Sequence, residues 1–406
     1  MTDVSPRFFN PLQPGYTEDP YPHFAEMREH DPVHLTLLNQ WLLFRYDDVS
    51  RILRDPSMSV SDDKIEVFDE KRLAMFKAAA GAEFERSTSM LNADPPDHTR
   101  LRRLVSKAFT PSSIEALRPR VQQLVDAMLD PMAERGTGDV VTELAFPLPF
   151  DVISEMLGMP DADKEQIAAW SGAVVKTLDP IISDDEIVAA IEGSRAMEAH
   201  IDQVIAWKRD HPADDLLSAL IAAEEDGDRL SSIELRDQVV LLFIAGHETT
   251  VNLIGTGIYE LLRHPDQLTM LRADPSLDAN AVDELLRFVS PVQLSRRVVL
   301  HDITIRDKTI PKGMFVLTGL ASANRDPDKW GPTADDLDIR RDGAAQHVSF
   351  GSGIHYCLGA SLARLEAQVA IGTFVRRFPN ARLAGAPEGN GRINLRGLEH
   401  LPVAVD

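Results

Sequence analysis

The run VVLLFIAGHETTVNLIGTGIYELL, residues 239–262, constrains this chain more than any other stretch. Ser231-Ser232-Ile233-Glu234 just upstream reads as a capping box, in which serine and glutamate side chains satisfy each other's backbone amides at a helix start. One long helix is therefore expected from there to about Arg263. It carries Asp237, His247 and Glu248, which would be costly in hydrocarbon, so it is read as the core helix of a globular protein and not as a membrane span.

The rest of the chain fits that frame. Most of the first two thirds shows apolar residues at three and four spacing, with caps such as Thr110-Pro111-Ser112-Ser113 before IEALRPRVQQLVDAMLD. Strand-like stretches occur at Val33 to Leu37 and Trp41 to Arg45. Later ones are RRVVL, DITIR and MFVLTGL, with a Pro311-Lys312-Gly313 turn between two of them. The class is mainly α with a small β component. With 406 residues, 44% of them apolar, and neither a repeat nor a Gly/Ser-rich linker, one domain over residues 1–406 is expected. The acidic stretch Glu224 to Asp228 reads as a solvated loop between helices.

A net charge of -22 argues against nucleic acid or an anionic membrane as the main partner, since both would be repelled. The N-terminus, MTDVSPRFFNPLQPGY, shows neither a signal peptide nor an apolar anchor, so a cytoplasmic protein is expected. The chain has a single cysteine, which excludes an intramolecular disulfide and a protein-held iron–sulfur cluster of four thiolates. No C-x-x-C-H occurs, so a covalently attached haem is excluded too.

That cysteine, Cys357, stands in Phe350-Gly351-Ser352-Gly353-Ile354-His355-Tyr356-Cys357-Leu358-Gly359, followed at once by the helical pattern ASLARLEAQVAIGTFVRRF. Glycines free the backbone to pass close under a flat ligand, and a helix start favours a thiolate. A nucleotide loop is the competing idea. It fails because Tyr356 occupies the third glycine position of G-x-G-x-x-G and no G-K-[ST] follows. His247-Glu248 hints at a zinc protease, yet Val251 stands where H-E-x-x-H needs its second histidine.

The cysteine segment resembles the haem-binding loop of the cytochromes P450, F-G-x-G-x-H-x-C-x-G, at every defined position. The resemblance spans essentially the whole chain. It implies the cytochrome P450 fold, with a long central helix over a non-covalent haem b and the cysteine loop beneath it. It also implies that Cys357 is the axial iron ligand, that Phe350 and Gly351 lie near the sulfur, and that His355 helps to hold a propionate.

Ala245-Gly246-His247-Glu248-Thr249-Thr250 looks like the family's oxygen-binding segment, A-G-x-[DE]-T. A helical threonine commonly bonds back to the carbonyl four residues earlier, here that of Ala245. Joined to the cysteine loop, Thr249 is instead expected to stabilise reduced dioxygen, Glu248 to relay protons, and small residues such as Ala245 to make room for the gas.

Glu284-Leu285-Leu286-Arg287 matches the family's E-x-x-R. The same spacing recurs at Glu83 and Arg86, Glu115 and Arg118, Glu192 and Arg195, and Glu260 and Arg263. Only chain order singles out Glu284 and Arg287, with Arg341 as the third, structural partner and Arg340 as the lesser candidate. For the haem carboxylates, which need cations when buried, the resemblance offers His98 and Arg102 after Asp94-Pro95-Pro96-Asp97, a helix start, and Arg297.

Arg100, Arg103 and Lys107 make that same helix locally basic. With no reductase domain fused, the resemblance implies electrons from a separate ferredoxin-type donor with its NAD(P)H reductase. The expected reaction is hydroxylation or epoxidation of a lipophilic small molecule by activated dioxygen. By analogy, pocket walls come from residues 60–91, from Leu241, Leu242 and Ala245, from 292–295 including Val292 and Leu294, and from 397–399 including Leu398. Glu83 or Arg86 would meet a charged substrate group. The rival functions are a peroxide-dependent haem-thiolate isomerase or dehydratase and a non-catalytic haem-based sensor. Glu248 and Thr249 together speak against the first.

Overall fold

In a computed structural model of the chain, residues 8–66, 89–160, 163–225 and 230–406 are described. Glu83 and Arg86, and most of the expected wall at 60–91, lie outside them. The backbone divides into two compact units. One draws on residues 1–67, 280–357 and 391–396, the other on residues 68–279, 358–390 and 397–406.

The first unit is organised by a five-stranded sheet. Val33–Leu35 pairs antiparallel with Trp41–Leu43, which runs parallel to Phe315–Gly319; next come Leu294–Val299 and, at the edge, Met58–Ser59. Because side chains alternate across a strand, the sheet feeds two cores. Leu42, Phe44 and Leu294 join Phe9, Tyr16, Tyr21 and Phe24 on one side. Val33, Leu43, Val299 and Val316 join Ile52, Ile305, Ile310 and Trp330 on the other. DITIR forms Ile303–Ile305, and its hairpin partner Lys308–Ile310 is a strand that the sequence patterning missed. The Pro311-Lys312-Gly313 turn is present, with Gly313 at φ +77° and its amide bonded to the Val299 carbonyl.

The second unit is built around the helix Ser232–Arg263, whose buried residues lie on every face. The expected capping box forms: the Glu234 amide donates to Ser231 Oγ at 3.2 Å and the Ser231 amide to Glu234 Oε2 at 2.8 Å. By length and composition this helix could cross a membrane, but 67% of its most apolar window is buried inside the protein. Helices Pro147–Leu157, Asp184–Asp210 and Ala360–Arg377 pack against it.

Two boundaries differ from the sequence expectation. Thr110 caps a helix, its Oγ1 accepting from the Ser113 amide at 3.2 Å, but that helix ends at Glu115 and a second one runs from Arg118 to Arg135. Pro119 lacks the amide that would continue the hydrogen-bond ladder, so the chain restarts there. The helix Leu216–Glu225 takes in Glu224 and Glu225, which were expected in a loop.

Candidate functional site

In the first unit, Cys357 is exposed, with its amide bonded to the Phe350 carbonyl at 2.9 Å. The segment between them turns tightly. Gly351 and Gly353 have φ of +68° and +73°, the left-handed region that glycine enters without strain. A Cβ on Gly353 would lie 2.5 Å from the Leu53 carbonyl oxygen, whereas one on Gly351 would meet nothing closer than 3.9 Å and one on Gly359 nothing within 4 Å. The open side of the loop is thus the side of Gly351, and its closed side is pressed on the Tyr46–Arg54 helix. Arg54 Nε donates to Ser352 Oγ at 2.8 Å across that contact. Phe350 lies edge-on to Tyr356 with centroids 6.2 Å apart, and His355 ends the short helical turn Gly353–His355, half-buried.

Arg297 sits in the strand Leu294–Val299, where its Nη1 donates to the Arg296 carbonyl at 2.7 Å and to Ser295 Oγ at 3.3 Å. A buried guanidinium (6% exposed) with such partners suits an anion with acceptor oxygens. Leu294 packs with Phe24, Leu42 and Phe44 and so serves the aromatic core of this unit, not an open wall. Val292 is partly buried against the other core.

Glu284 and Arg287 are both fully buried and doubly bonded, Nε to Oε2 at 2.7 Å and Nη2 to Oε1 at 2.8 Å. Arg341 Nε reaches the same carboxylate at 3.1 and 3.2 Å, while Arg340 is exposed. The remaining donors are spent on the carbonyls of Thr333, Asn324, Ala334 and Asp336.

In the second unit, Asp97–Val105 forms a helix. His98 on it is buried, and burial, followed by Arg102 one turn on, lowers its pKa against the opposing pull of Asp94. Arg102 is half-buried. Arg100 is not part of an open basic face, because it pairs with Asp97 and Glu234. Arg103 and Lys107 are exposed.

Midway along the central helix Ala245 is exposed, although Leu242, Phe243 and Ile244 before it are buried. A helix face bordered by open space at a small residue leaves room for a ligand. Gly246 has a different reason to be small: a Cβ there would come within 3.0 Å of Ile153. Thr249 Oγ1 lies 3.3 Å from the Ala245 carbonyl, the local bond expected of a helical threonine. Glu248 accepts from Ser171 Oγ at 2.8 Å, a residue that no sequence motif marks. Leu241 and Leu398 are half-buried and Leu242 is buried.

No group of three or more His, Cys, Asp or Glu among the described residues could hold a bare metal ion. A porphyrin would bring four nitrogen ligands of its own, leaving a single thiolate for the protein to supply. An exposed thiol on a loop with open space over Gly351 and Gly359 fits that donor set.

Residues 185–382 match the profile of the family described as Cytochrome P450. The chain is 44% identical to Cytochrome P450 107B1 of Saccharopolyspora erythraea, over 96% of both chains. It is 43% identical to the vitamin D(3) 25-hydroxylase of Pseudonocardia autotrophica, covering 96% of this chain and 94% of that one. Among solved structures it resembles P450BioI in complex with an acyl carrier protein ligated to hexadec-9Z-enoic acid. That match has a TM-score of 0.87 and 35% identity, over 96% of this chain and 100% of the other.

Proposed function

The chain belongs to the cytochrome P450 family, and from that premise we propose how its own residues divide the work. Membership brings a haem b bound non-covalently through a cysteine thiolate, and a monooxygenase activity that consumes dioxygen and electrons from a redox partner. When bound, the haem activates dioxygen so that one of its atoms enters a C–H or C=C bond of a lipophilic small molecule.

Cys357 supplies the thiolate, and Phe350 and Gly351 shape the loop that presents it. The observation that carries this reading is the exposure of the chain's single thiol on a glycine-turned loop with open space to one side. His98, Arg102, Arg297 and His355 hold the propionates, for which charge-assisted hydrogen bonds are the chemistry available. Ala245 keeps the central helix clear at the oxygen site. Thr249 offers its hydroxyl there, and Glu248 moves protons to it from water. Glu284, Arg287 and Arg341 are structural. Residues 1–406 work as one cytochrome P450 domain.

Electrons come from a ferredoxin with its NAD(P)H reductase, in the cytoplasm. Arg103 and Lys107 are its docking cations, Arg100 being engaged elsewhere. The substrate is terpenoid, steroid, fatty-acid or polyketide in character, walled by Leu241, Leu242, Ala245, Val292 and Leu398. The vitamin D(3) and the hexadec-9Z-enoic acid in the names of two relatives support that class.

The test is direct. Carbon monoxide added after reduction should give the far-red-shifted Soret band of a thiolate-bound haem, and Cys357→Ala should abolish it. Turnover of a lipophilic compound, first screened by a shift of the ferric haem to high spin, should require ferredoxin, reductase and NAD(P)H. Product formed only from a hydroperoxide, or never, overturns the monooxygenase reading.

A further inference from the structure

His247 adjoins Glu248 but has its own surroundings. Its imidazole is fully buried among the rings of Phe146, Phe150 and Phe243, at centroid distances of 6.1, 5.9 and 5.4 Å. Nδ1 lies 2.8 Å from the Phe243 carbonyl oxygen. A carbonyl only accepts, so Nδ1 carries a hydrogen and the tautomer is fixed.

Among the described residues Nε2 then has no hydrogen-bond partner, and Glu248 Oε1 lies 3.6 Å away. Were both bare, a nitrogen lone pair would face a carboxylate oxygen in a site walled by three aromatic rings, which costs free energy that one proton between them recovers. The Ser171 hydroxyl holds the same oxygen at 2.8 Å. Lys164 lies 5.6 Å from the Phe150 centroid, and its charge is paired with that of Asp151.

We propose that His247 is a positioning residue that keeps a proton at Nε2 for Glu248, a role that rests on reading Glu248 as the proton relay. In the transfer the Nε2–H bond breaks as an O–H bond forms on Glu248. The imidazole is left neutral, with its Nδ1–H still on the Phe243 carbonyl. Glu248, whose side chain is 13% exposed, exchanges the pair's proton with water. Such a store provides one proton without waiting on solvent, and the pair is recharged from water before the next delivery.

The experiment uses the holoenzyme labelled with ¹⁵N-histidine, reduced and bound to carbon monoxide so that the iron is diamagnetic, with His247 assigned by loss of its signal in His247→Asn. Nε2 should resonate as a protonated nitrogen at neutral pH in the wild type and as a bare imine nitrogen in Glu248→Gln. A bare Nε2 in the wild type overturns the proposal.

His247→Asn keeps a donor for Phe243 and deletes Nε2. It should cut product per NAD(P)H by about twofold or more, raise peroxide, and flatten the pH dependence of coupling; unchanged coupling also overturns the proposal. Should Glu248→Gln itself leave coupling intact, the relay reading fails and this inference with it. Should Glu248→Gln uncouple while wild-type Nε2 is bare, the inference alone fails.

Discussion

Arg287 grips Glu284 with two parallel hydrogen bonds, 2.7 and 2.8 Å long, and neither side chain has any exposed surface. A bidentate pair this dry is held by its neighbours as much as by its own attraction, because each charge has lost its water. Three main-chain carbonyls, from Asn324, Ala334 and Asp336, take up the rest of the Arg287 donors.

Removing one partner strands the other. Arg287→Ala should destabilise the protein by about 3–5 kcal/mol, read as a lower urea midpoint. Arg287→Lys should recover only part of this, since an ammonium lacks the planar fork. Glu115→Ala is the contrast: its pair with Arg118 is exposed, and the expected loss is under about 1 kcal/mol. Equal losses at the two sites would sink the claim that burial is what distinguishes them.

Glu366 predicts a pH effect. It is buried on the helix Ala360–Arg377, neither carboxyl oxygen meets a hydrogen-bond donor among the described residues, and burial raises its pKa well above the usual carboxylate value. The folded state therefore keeps a proton that the unfolded state releases. The carboxyl's contribution is fully present below the unfolded value of 4.5 and is lost as pH rises toward the folded one, with a limiting slope of about 1.4 kcal/mol per pH unit. Glu366→Gln keeps the shape and cannot ionise. Variant and wild type should be nearly matched at acid pH, with the variant gaining steadily toward neutrality in urea titrations. A pH-independent difference would contradict this.

Thr249→Ala tests the proposed oxygen site on the central helix. The hydroxyl makes only a 3.3 Å contact with the Ala245 carbonyl, and alanine is the better helix former, so stability should change by less than about 1 kcal/mol. The haem should be retained. Product per NAD(P)H should fall about tenfold or more, with the missing electrons recovered as peroxide. An undiminished yield would assign Thr249 to the helix and not to the chemistry.

What could be read from the chain was local. The Ser231 and Glu234 box, the cysteine loop and the helix after it are contiguous, and their residue types specify their conformations. The E-x-x-R spacing was not informative, because Glu115 with Arg118 and Glu260 with Arg263 form pairs too. What separates Glu284 and Arg287 is a lining contributed some 40 to 50 residues later along the chain. Ser171, 77 residues before Glu248, left no trace in any pattern. The same holds for two-residue strands such as Met58–Ser59, which owe their form to a partner strand and are too short to show a period. Pro119 did carry a signal, and the helix break beside it was legible in hindsight from proline chemistry alone.

The loop's two left-handed glycines separate backbone strain from steric exclusion. Gly351→Ala places a Cβ in open space, 3.9 Å from its nearest neighbour, so it should cost only the strain of a positive φ, about 1–2 kcal/mol. Gly353→Ala adds to that strain a Cβ within 2.5 Å of the Leu53 carbonyl and 3.2 Å of Arg54 Cα. Both obstacles are backbone, so the loop itself must shift off the Tyr46–Arg54 helix. Because the Cys357 amide is tied to Phe350 across this same turn, the sulfur would move with it. Gly353→Ala should therefore lose most of the thiolate signature in the reduced carbon monoxide spectrum, whereas Gly351→Ala keeps it with a lowered thermal midpoint. Should the two variants lose that signature to the same extent, contact with the Leu53 backbone would not be what fixes the cysteine loop.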